Sequence, residues 1–437
     1  MSTEIEQPQG PGGGSDADDL ASHVAEAAAP DVLAGSLGEY VRIWLARVRG
    51  GESGALPVVL GLIAIVAYFQ VRNSIFLSAG NLVNLIDQAS WIVMLGMAEV
   101  FVLLLGEIDL SIGYSSVMGA TITVWMVSPS VHLPWWLAVL AGLAVPTAFS
   151  GLEGVVITRL RLPSFVVTLA GLLGGTGLLL FLINTAAPNS GGTIRLPLGV
   201  INDIIGGQMT PLAGWIVMAA AVAAASAVFI LRDRRRRASN LAAPPASITA
   251  LKVAVMVVAG VVVVLICNTN RSNTGVLEGV PWVVPVILVV LIGWSLLLGR
   301  TRFGRYVYAI GGNAEAARRS GINLSRIRVL AFALCGLTAG IMGIIYTSFL
   351  GSVSNNVNGG QNVLYAVAAA VIGGTSLFGG RGRMLGAVLG GLIVAVIYNG
   401  LLLLGLNADA QDIWTAVVLL AAVTVDTLAR RRQPSTT

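Results

Sequence analysis

Residues 281–298 read Pro-Trp-Val-Val-Pro-Val-Ile-Leu-Val-Val-Leu-Ile-Gly-Trp-Ser-Leu-Leu-Leu, without one charged side chain. A helix rises 1.5 Å per residue, so about 20 such residues cross the roughly 30 Å apolar core of a bilayer. Trp282 stands at one end of the run, and Arg300 and Arg302 follow at the other. Aromatic rings anchor at membrane interfaces, and Lys/Arg accumulate on the cytoplasmic side. Outward from this stretch the pattern repeats. Apolar segments near 54–71, 88–105, 112–128, 133–157, 164–183, 211–231, 250–267, 281–298, 327–349, 363–380, 384–405 and 412–429 each predict a span. Glycines shorten or interrupt several of them. The expected fold is an all-α integral membrane protein, a polytopic helical bundle of about 10–12 transmembrane helices with discontinuous or re-entrant segments.

Composition supports this. The 437 residues are 56% hydrophobic and 11% charged, with a mean hydropathy of +0.84. A soluble domain carries about 25% charged residues. The net charge of +5 is no nucleic-acid footprint, because the basic residues lie between or beside apolar runs. Cys267 and Cys335 sit at or inside apolar segments without metal-ligand spacing, so neither a disulfide framework nor a metal site is expected.

The charges orient the bundle. With a cytoplasmic N-terminus and alternating spans, all of the 26 Lys/Arg residues except Arg72, Arg195 and Arg271 fall on the cytoplasmic side. That is the bias of the positive-inside rule, and it puts both termini in the cytoplasm of a multi-pass plasma (inner) membrane protein. Residues 1–53 are expected to be a cytoplasmic N-terminal tail. Its first 30 residues are polar and lack a secretory signal, and 31–50 carry helically spaced apolar residues beside Arg42, Arg47 and Arg49, as an interfacial amphipathic helix does. The transmembrane domain is expected over 54–430, with a charged cytoplasmic loop at 299–326, and a C-terminal tail over 431–437.

Three segments carry chemistry. Gly106-Glu107-Ile108-Asp109-Leu110-Ser111-Ile112-Gly113 places two carboxylates between two apolar runs. Either Asp109 or Ser111 caps the following helix across a simple turn, or the segment is a discontinuous helix whose polar groups line a pathway. Ile372-Gly373-Gly374-Thr375-Ser376-Leu377-Phe378-Gly379-Gly380 occupies the equivalent place between later spans. At an offset of 267 positions it matches Gly106 to Gly373, Leu110 to Leu377 and Gly113 to Gly380, which suggests a repeat in the same orientation. Pathway candidates are therefore Glu107, Asp109, Ser111, Thr375 and Ser376, joined by Glu99 and Asn399, polar groups at membrane depth that usually face a cavity or a partner. Glu153, near a span end, is expected to snorkel. The third segment, Gly311 to Asn323, contains Glu315 to Arg319, which favour a short helix stopped at Gly321.

No catalytic constellation, metal site or cofactor motif is present. The single lysine, Lys252, follows Leu251, so the Gly-Lys-Ser/Thr of an ATP-binding loop is missing. Composition and topology leave two transport readings open: a permease powered by a separate ATPase, and an ion-coupled secondary transporter.

Four strings in order resemble a known family: Glu107 to Gly113, Leu162 to Gly171, Ala309 to Asn323, and Val371 to Leu377. They are similar to the permease subunits of bacterial ATP-binding-cassette sugar importers of the ribose/xylose type. Glu107 before Ile-Asp-Leu-Ser, and the extra apolar pair across 211–267, look most like the D-xylose permeases. The resemblance implies import of a monosaccharide, D-xylose first, with ribose, galactose or a related sugar as alternatives. It implies a homodimer of permeases, ATPase subunits docked at 299–326, and an extracytoplasmic sugar-binding protein. It also implies that Asn313, Glu315, Ala316, Ala317, Arg318 and Gly321 form the ATPase-coupling loop.

Overall fold

The computed structural model describes residues 56–407, apart from 189, 190, 240, 242, 273 and 274, and scattered positions within 36–42 and 409–424. The N-terminal tail with most of its expected interfacial helix, most of the span expected at 412–429, and the C-terminal tail lie outside the described residues. The chain runs α1 (Leu56–Arg72), α2 (Ala79–Leu103), α3 (Ile112–Val127), α4 (Trp135–Leu160), α5 (Ser164–Ala186), β1 (Thr193–Arg195), α6 (Pro211–Ala238), α7 (Ala246–Cys267), α8 (Val283–Arg300), α9 (Arg302–Gly312), α10 (Ala314–Arg319), α11 (Leu324–Leu350), β2 (Ser352–Ser354), α12 (Gly359–Ile372) and α13 (Met384–Leu403). Among the described residues, eight helices are long and apolar enough to cross a membrane: α2, α4, α5, α6, α7, α8, α11 and α13. Shorter apolar helices occupy the places of α1, α3 and α12. The protein is an all-α polytopic membrane protein.

Three boundaries depart well from the expected ones. Helix α2 begins at Ala79 and not near 88, because the Ser78 side chain caps it by accepting from the Asn81 N–H. Helix α12 stops at Ile372, because Gly374, Gly379 and Gly380 take positive φ and turn the chain away from the helical path. Arg232 and Arg234 to Arg237 belong to α6 and not to a loop, since long basic side chains are good helix formers once outside the apolar layer.

Contacts divide the chain into two compact units, one containing 218–262 and the other 54–217 and 263–437. In the first, Met218 packs where a side chain at Gly260 would stand, Thr249 donates to Asp233 at 2.5 Å, and Arg237 donates to the Pro244 carbonyl at 2.7 Å.

In the second unit α2 is the axis. Nearly every residue from Gln88 to Leu103 is buried, against α11, α12 and α13. Helix α11 also packs closely along α4. A Cβ at Gly336 would fall 2.2 Å from the Pro146 carbonyl oxygen, so only glycine permits this approach. Close backbone packing replaces hydrophobic driving force between helices in lipid. A polar seam joins α2 to α13: the Asn399 and Asn81 amides exchange hydrogen bonds of 2.9 and 3.0 Å, and Asn399 donates to Gln88 at 3.0 Å.

The connections of the second unit gather at two ends. At one end, β1 pairs antiparallel with β2, Ile194 opposite Val353, and Gln208 bridges Pro281. At the other end, the segments around 107, 161 and 318–328 surround one cavity. Trp135, Trp136 and Trp282, at the starts of α4 and α8, are about half exposed, as interfacial anchors are.

Asn399→Ala strands two buried amides. It is expected to destabilise the protein by about 1–2 kcal/mol, read as a lower melting temperature in detergent or nanodiscs. Unchanged melting would exclude a stabilising role for the seam.

Candidate functional site: two helix breaks and the loop that joins them

The first break, residues 104–111, begins where α2 runs out in tight turns: Gly106 N–H donates to Leu103 and Glu107 N–H to Val102, with Gly106 at φ +74°. Backbone that leaves a helix at membrane depth needs new partners, and nearby side chains supply them. Glu99 accepts from the Asp109 N–H at 3.2 Å. Asp109 accepts from the Ser111 N–H at 2.9 Å. Thr168 of α5 donates to the Ile108 carbonyl at 3.2 Å. Ser111 stands at the N-cap position of α3, yet its side chain makes no capping bond. The hydroxyl instead lies 2.7 Å from Asp109 Oδ1 and 2.8 Å from Glu153 Oε2. Glu153 therefore does not snorkel. It is buried, folded inward against Gly171 of α5.

The second break, residues 373–383, lies against the first. Gly380 N–H donates to the Leu104 carbonyl at 2.9 Å, and a Cβ at Gly106 would meet the Phe378 carbonyl oxygen at 3.3 Å. Ser376 orders the turn by accepting from the Phe378 N–H at 3.2 Å. The buried Thr375 hydroxyl has no hydrogen-bond partner among the described residues. The sequence offset equates Gly106 with Gly373, but it is Gly374, at φ +88°, that turns left-handed like Gly106. The two breaks are equivalent in place and not residue for residue.

Helix α9 spans both breaks. Tyr308 donates to the Gly382 carbonyl at 2.8 Å. A Cβ at Gly311 would lie 1.9 Å from the Leu104 carbonyl oxygen and 2.4 Å from the Gly380 nitrogen. One turn further, Asn313 caps α10 by accepting from the Ala316 N–H at 2.9 Å. Glu315 pairs with Arg318 at 2.5 Å and Arg319 at 3.2 Å. All three are exposed, and hydrogen bonds from Arg318 and then Arg319 hold the Glu315 carboxyl below its usual range. Ala317 is the buried contact of α10, and Gly321 ends it at φ +83°, as the sequence predicts. Glu107 pairs with Arg328, at the start of α11, at 3.2 Å. These residues edge a cavity of about 800 Å³ that also receives Arg161, Arg318 and Asn323.

The structure thus brings Glu99, Asp109 and Ser111 into one cluster, with Glu107 at its rim and Thr375 and Ser376 in the adjoining break. Asn399 is elsewhere, in the α2–α13 seam. Sequence reasoning missed Glu153 as a cluster member and Tyr308 as a clamp. A carboxylate at membrane depth was a signal for the first; nothing in the sequence marked the second.

Gly311→Ala is expected to lower the melting temperature markedly, because its Cβ collides with backbone that cannot yield. Gly312→Ala, which meets nothing within 4 Å, is the control and should melt like the parent. Equal melting of the two variants would exclude the close junction.

Residues 81–423 match the family described as branched-chain amino acid transport system / permease component. The chain is similar to the xylose transport system permease protein XylH of Haemophilus influenzae, 35% identical over 396 residues, covering 87% of this chain and 99% of the relative. XylH of Escherichia coli K12 is 34% identical over 398 residues, 88% and 96% of the two chains. The ribose import permease protein RbsC of the same organism is 30% identical over 387 residues, 89% and 95%. No solved structure matches it. With eight helices among the described residues long and apolar enough to cross a membrane, two glycine-lined breaks and a match across most of its length, the chain belongs to this family of membrane permease components.

Proposed function

We propose that this chain is the membrane-spanning subunit of an ATP-binding-cassette importer that moves a monosaccharide into the bacterial cytoplasm. D-Xylose is the first choice of sugar; ribose, galactose or a related sugar are the alternatives. The relatives' names, a xylose transport permease and a ribose import permease, support the substrate class. The carrying observation is mechanical. The exposed helix α10 hangs on α9, and α9 is fastened to both breaks through Tyr308 and Gly311.

In this reading a separate ATPase docks on the loop 299–326, and Glu315, Arg318 and Arg319 present the charged face it meets. Closure of the ATPases on nucleotide pushes α10. Because α9 is short and clamped, the push reaches residues 104–111 and 373–383 together, and the breaks work as the cytoplasmic gate of an alternating-access cycle. Glu107, Asp109, Ser111, Thr375 and Ser376 ride on that gate. Two permease copies, a sugar-binding protein outside, and cytoplasmic termini complete the assembly.

The test is sugar uptake by proteoliposomes holding this chain, its ATPase and its binding protein, with each omitted in turn and an ionophore added. Xylose uptake that needs ATP and all three proteins, and survives the ionophore, supports the reading. Uptake by this chain alone that collapses with the ionophore overturns it in favour of ion coupling. Glu315→Arg is expected to cut ATP-driven uptake by about tenfold or more without changing the melting temperature, since the residue is exposed. Full uptake by that variant removes α10 from the coupling path.

A further inference from the structure

Three carboxyl groups from three parts of the chain meet in the interior: Glu99 of α2 and Asp109 of the first break are 0% exposed, and Glu153 of α4 is 6% exposed. No arginine, lysine or histidine bonds to any of them among the described residues. An unpaired ionised carboxylate in such surroundings is strongly disfavoured, and three together would also repel one another. A proton held within the set relieves part of that repulsion.

The surrounding groups can be followed element by element. Helix α2 offers Glu99; its other acid, Asp87, lies more than three turns back along the helix. Helix α4 offers Glu153 and Ser150, and its Arg159 is exposed beyond the cluster. Helix α11 offers Cys335, whose thiol points at Asp109 Oδ2 from 3.7 Å; its Arg328 is taken by Glu107 at the rim and its Arg326 is exposed. Helix α3 adds only Tyr114, and α5 brings Gly171 against Glu153 with no titratable side chain at all.

Two features then identify the missing charge. The Ser111 hydroxyl touches carboxyl oxygens of both Asp109 and Glu153, and it has one hydrogen to give. Independently, the fully buried Ser150 hydroxyl, Glu99 Oε2 and Glu153 Oε1 have no hydrogen-bond partner among the described residues. Asp109 already accepts from the Ser111 N–H, the Ser111 hydroxyl and the Cys335 thiol. It is the carboxylate of the set, and Glu153 is the group left to donate.

We propose that Glu99, Asp109, Ser111 and Glu153 form a proton-binding site that latches the first break to α4. One proton on Glu153 completes the chain: the Glu153 carboxyl donates to Ser111 Oγ, and the Ser111 hydroxyl donates to Asp109 Oδ1. When the latch opens, the Glu153 O–H bond breaks and the proton passes to water. The bare Glu153 carboxylate then repels Asp109, and α4 parts from the break. Because the same break carries Glu107, paired to the start of α11, the latch is joined to the segment that α9 grips. The inference stands on these contacts and does not depend on which solute the chain carries.

The sign of the pH effect follows from linkage. The folded chain binds a proton that the unfolded chain, its carboxyls ionised near neutrality, does not, so stability falls as pH rises. Once pH passes the point at which the folded site releases its proton, the linked loss ends. Between the titration of the unfolded carboxyl and that point, each unit rise in pH lowers the folded-to-unfolded ratio about tenfold.

The experiment uses the full chain in lipid nanodiscs, with glutamate carrying a carbon isotope label at the carboxyl. Infrared spectra near neutral pH should show a protonated-carboxyl band that shifts with the label and disappears in Glu153→Gln. Melting temperature should fall as pH rises from neutrality in the parent and stay flatter in Glu153→Gln, where the amide supplies the donor permanently. Absence of a label-sensitive protonated band in the parent overturns the proposal, and this arm needs no variant to fold. A band unchanged in Glu153→Gln, or melting that follows sodium concentration and not pH, overturns it as well.

Discussion

A helix that ends inside a membrane protein leaves carbonyl and N–H groups with no water to take them, and each must find a partner within the protein. The first break depends on that constraint. Leu104 gives its carbonyl to Gly380 of the second break, Ile108 gives its carbonyl to Thr168, and the N–H groups of Asp109 and Ser111 are taken by Glu99 and Asp109. The partners come from α2, α5 and a segment far along the chain. The break is thus held from several sides at once, and whatever moves one side strains the rest.

Glycine makes the arrangement possible. At Gly311 and Gly379 three backbones come so close that any side chain would collide with main-chain atoms. The approach lets α9 rest directly on both breaks, with the Tyr308 hydroxyl as a second point of attachment. A short, clamped helix transmits displacement better than a flexible linker. In the proposed permease role, that would put the charged surface of α10 and the interior of the bundle on one mechanical line.

Charge distribution follows the same logic. The exposed ion pairs of α10 are weak contributors to stability, as surface pairs are, and they are available for a partner. The buried carboxyls sit where solvent cannot stabilise them; a serine, a thiol and backbone N–H groups meet some of their oxygens and leave Glu99 Oε2 and Glu153 Oε1 without a partner among the described residues. The first set suits recognition. The second suits a state-dependent lock, because its balance fails as soon as one member moves.

Most of the spans and the short helix at Glu315 were legible in the sequence because they rest on local rules: hydropathy over about 20 residues, and helix-favouring residues with a glycine stop. The all-α class and the two glycine-rich breaks were readable for the same reason. What the sequence could not fix was which distant groups meet. The hydroxyl of Ser111 could have capped α3, and Glu153 could have reached for water; only the packing of α4 and α5 onto the break decided that they bond to each other. Tyr308 and Gly311 look like ordinary residues of a charged loop until the fold brings Leu104, Gly380 and Gly382 beneath them. Periodicity and charge are properties of neighbouring residues, whereas burial and hydrogen-bond pairing across the bundle belong to the tertiary structure alone.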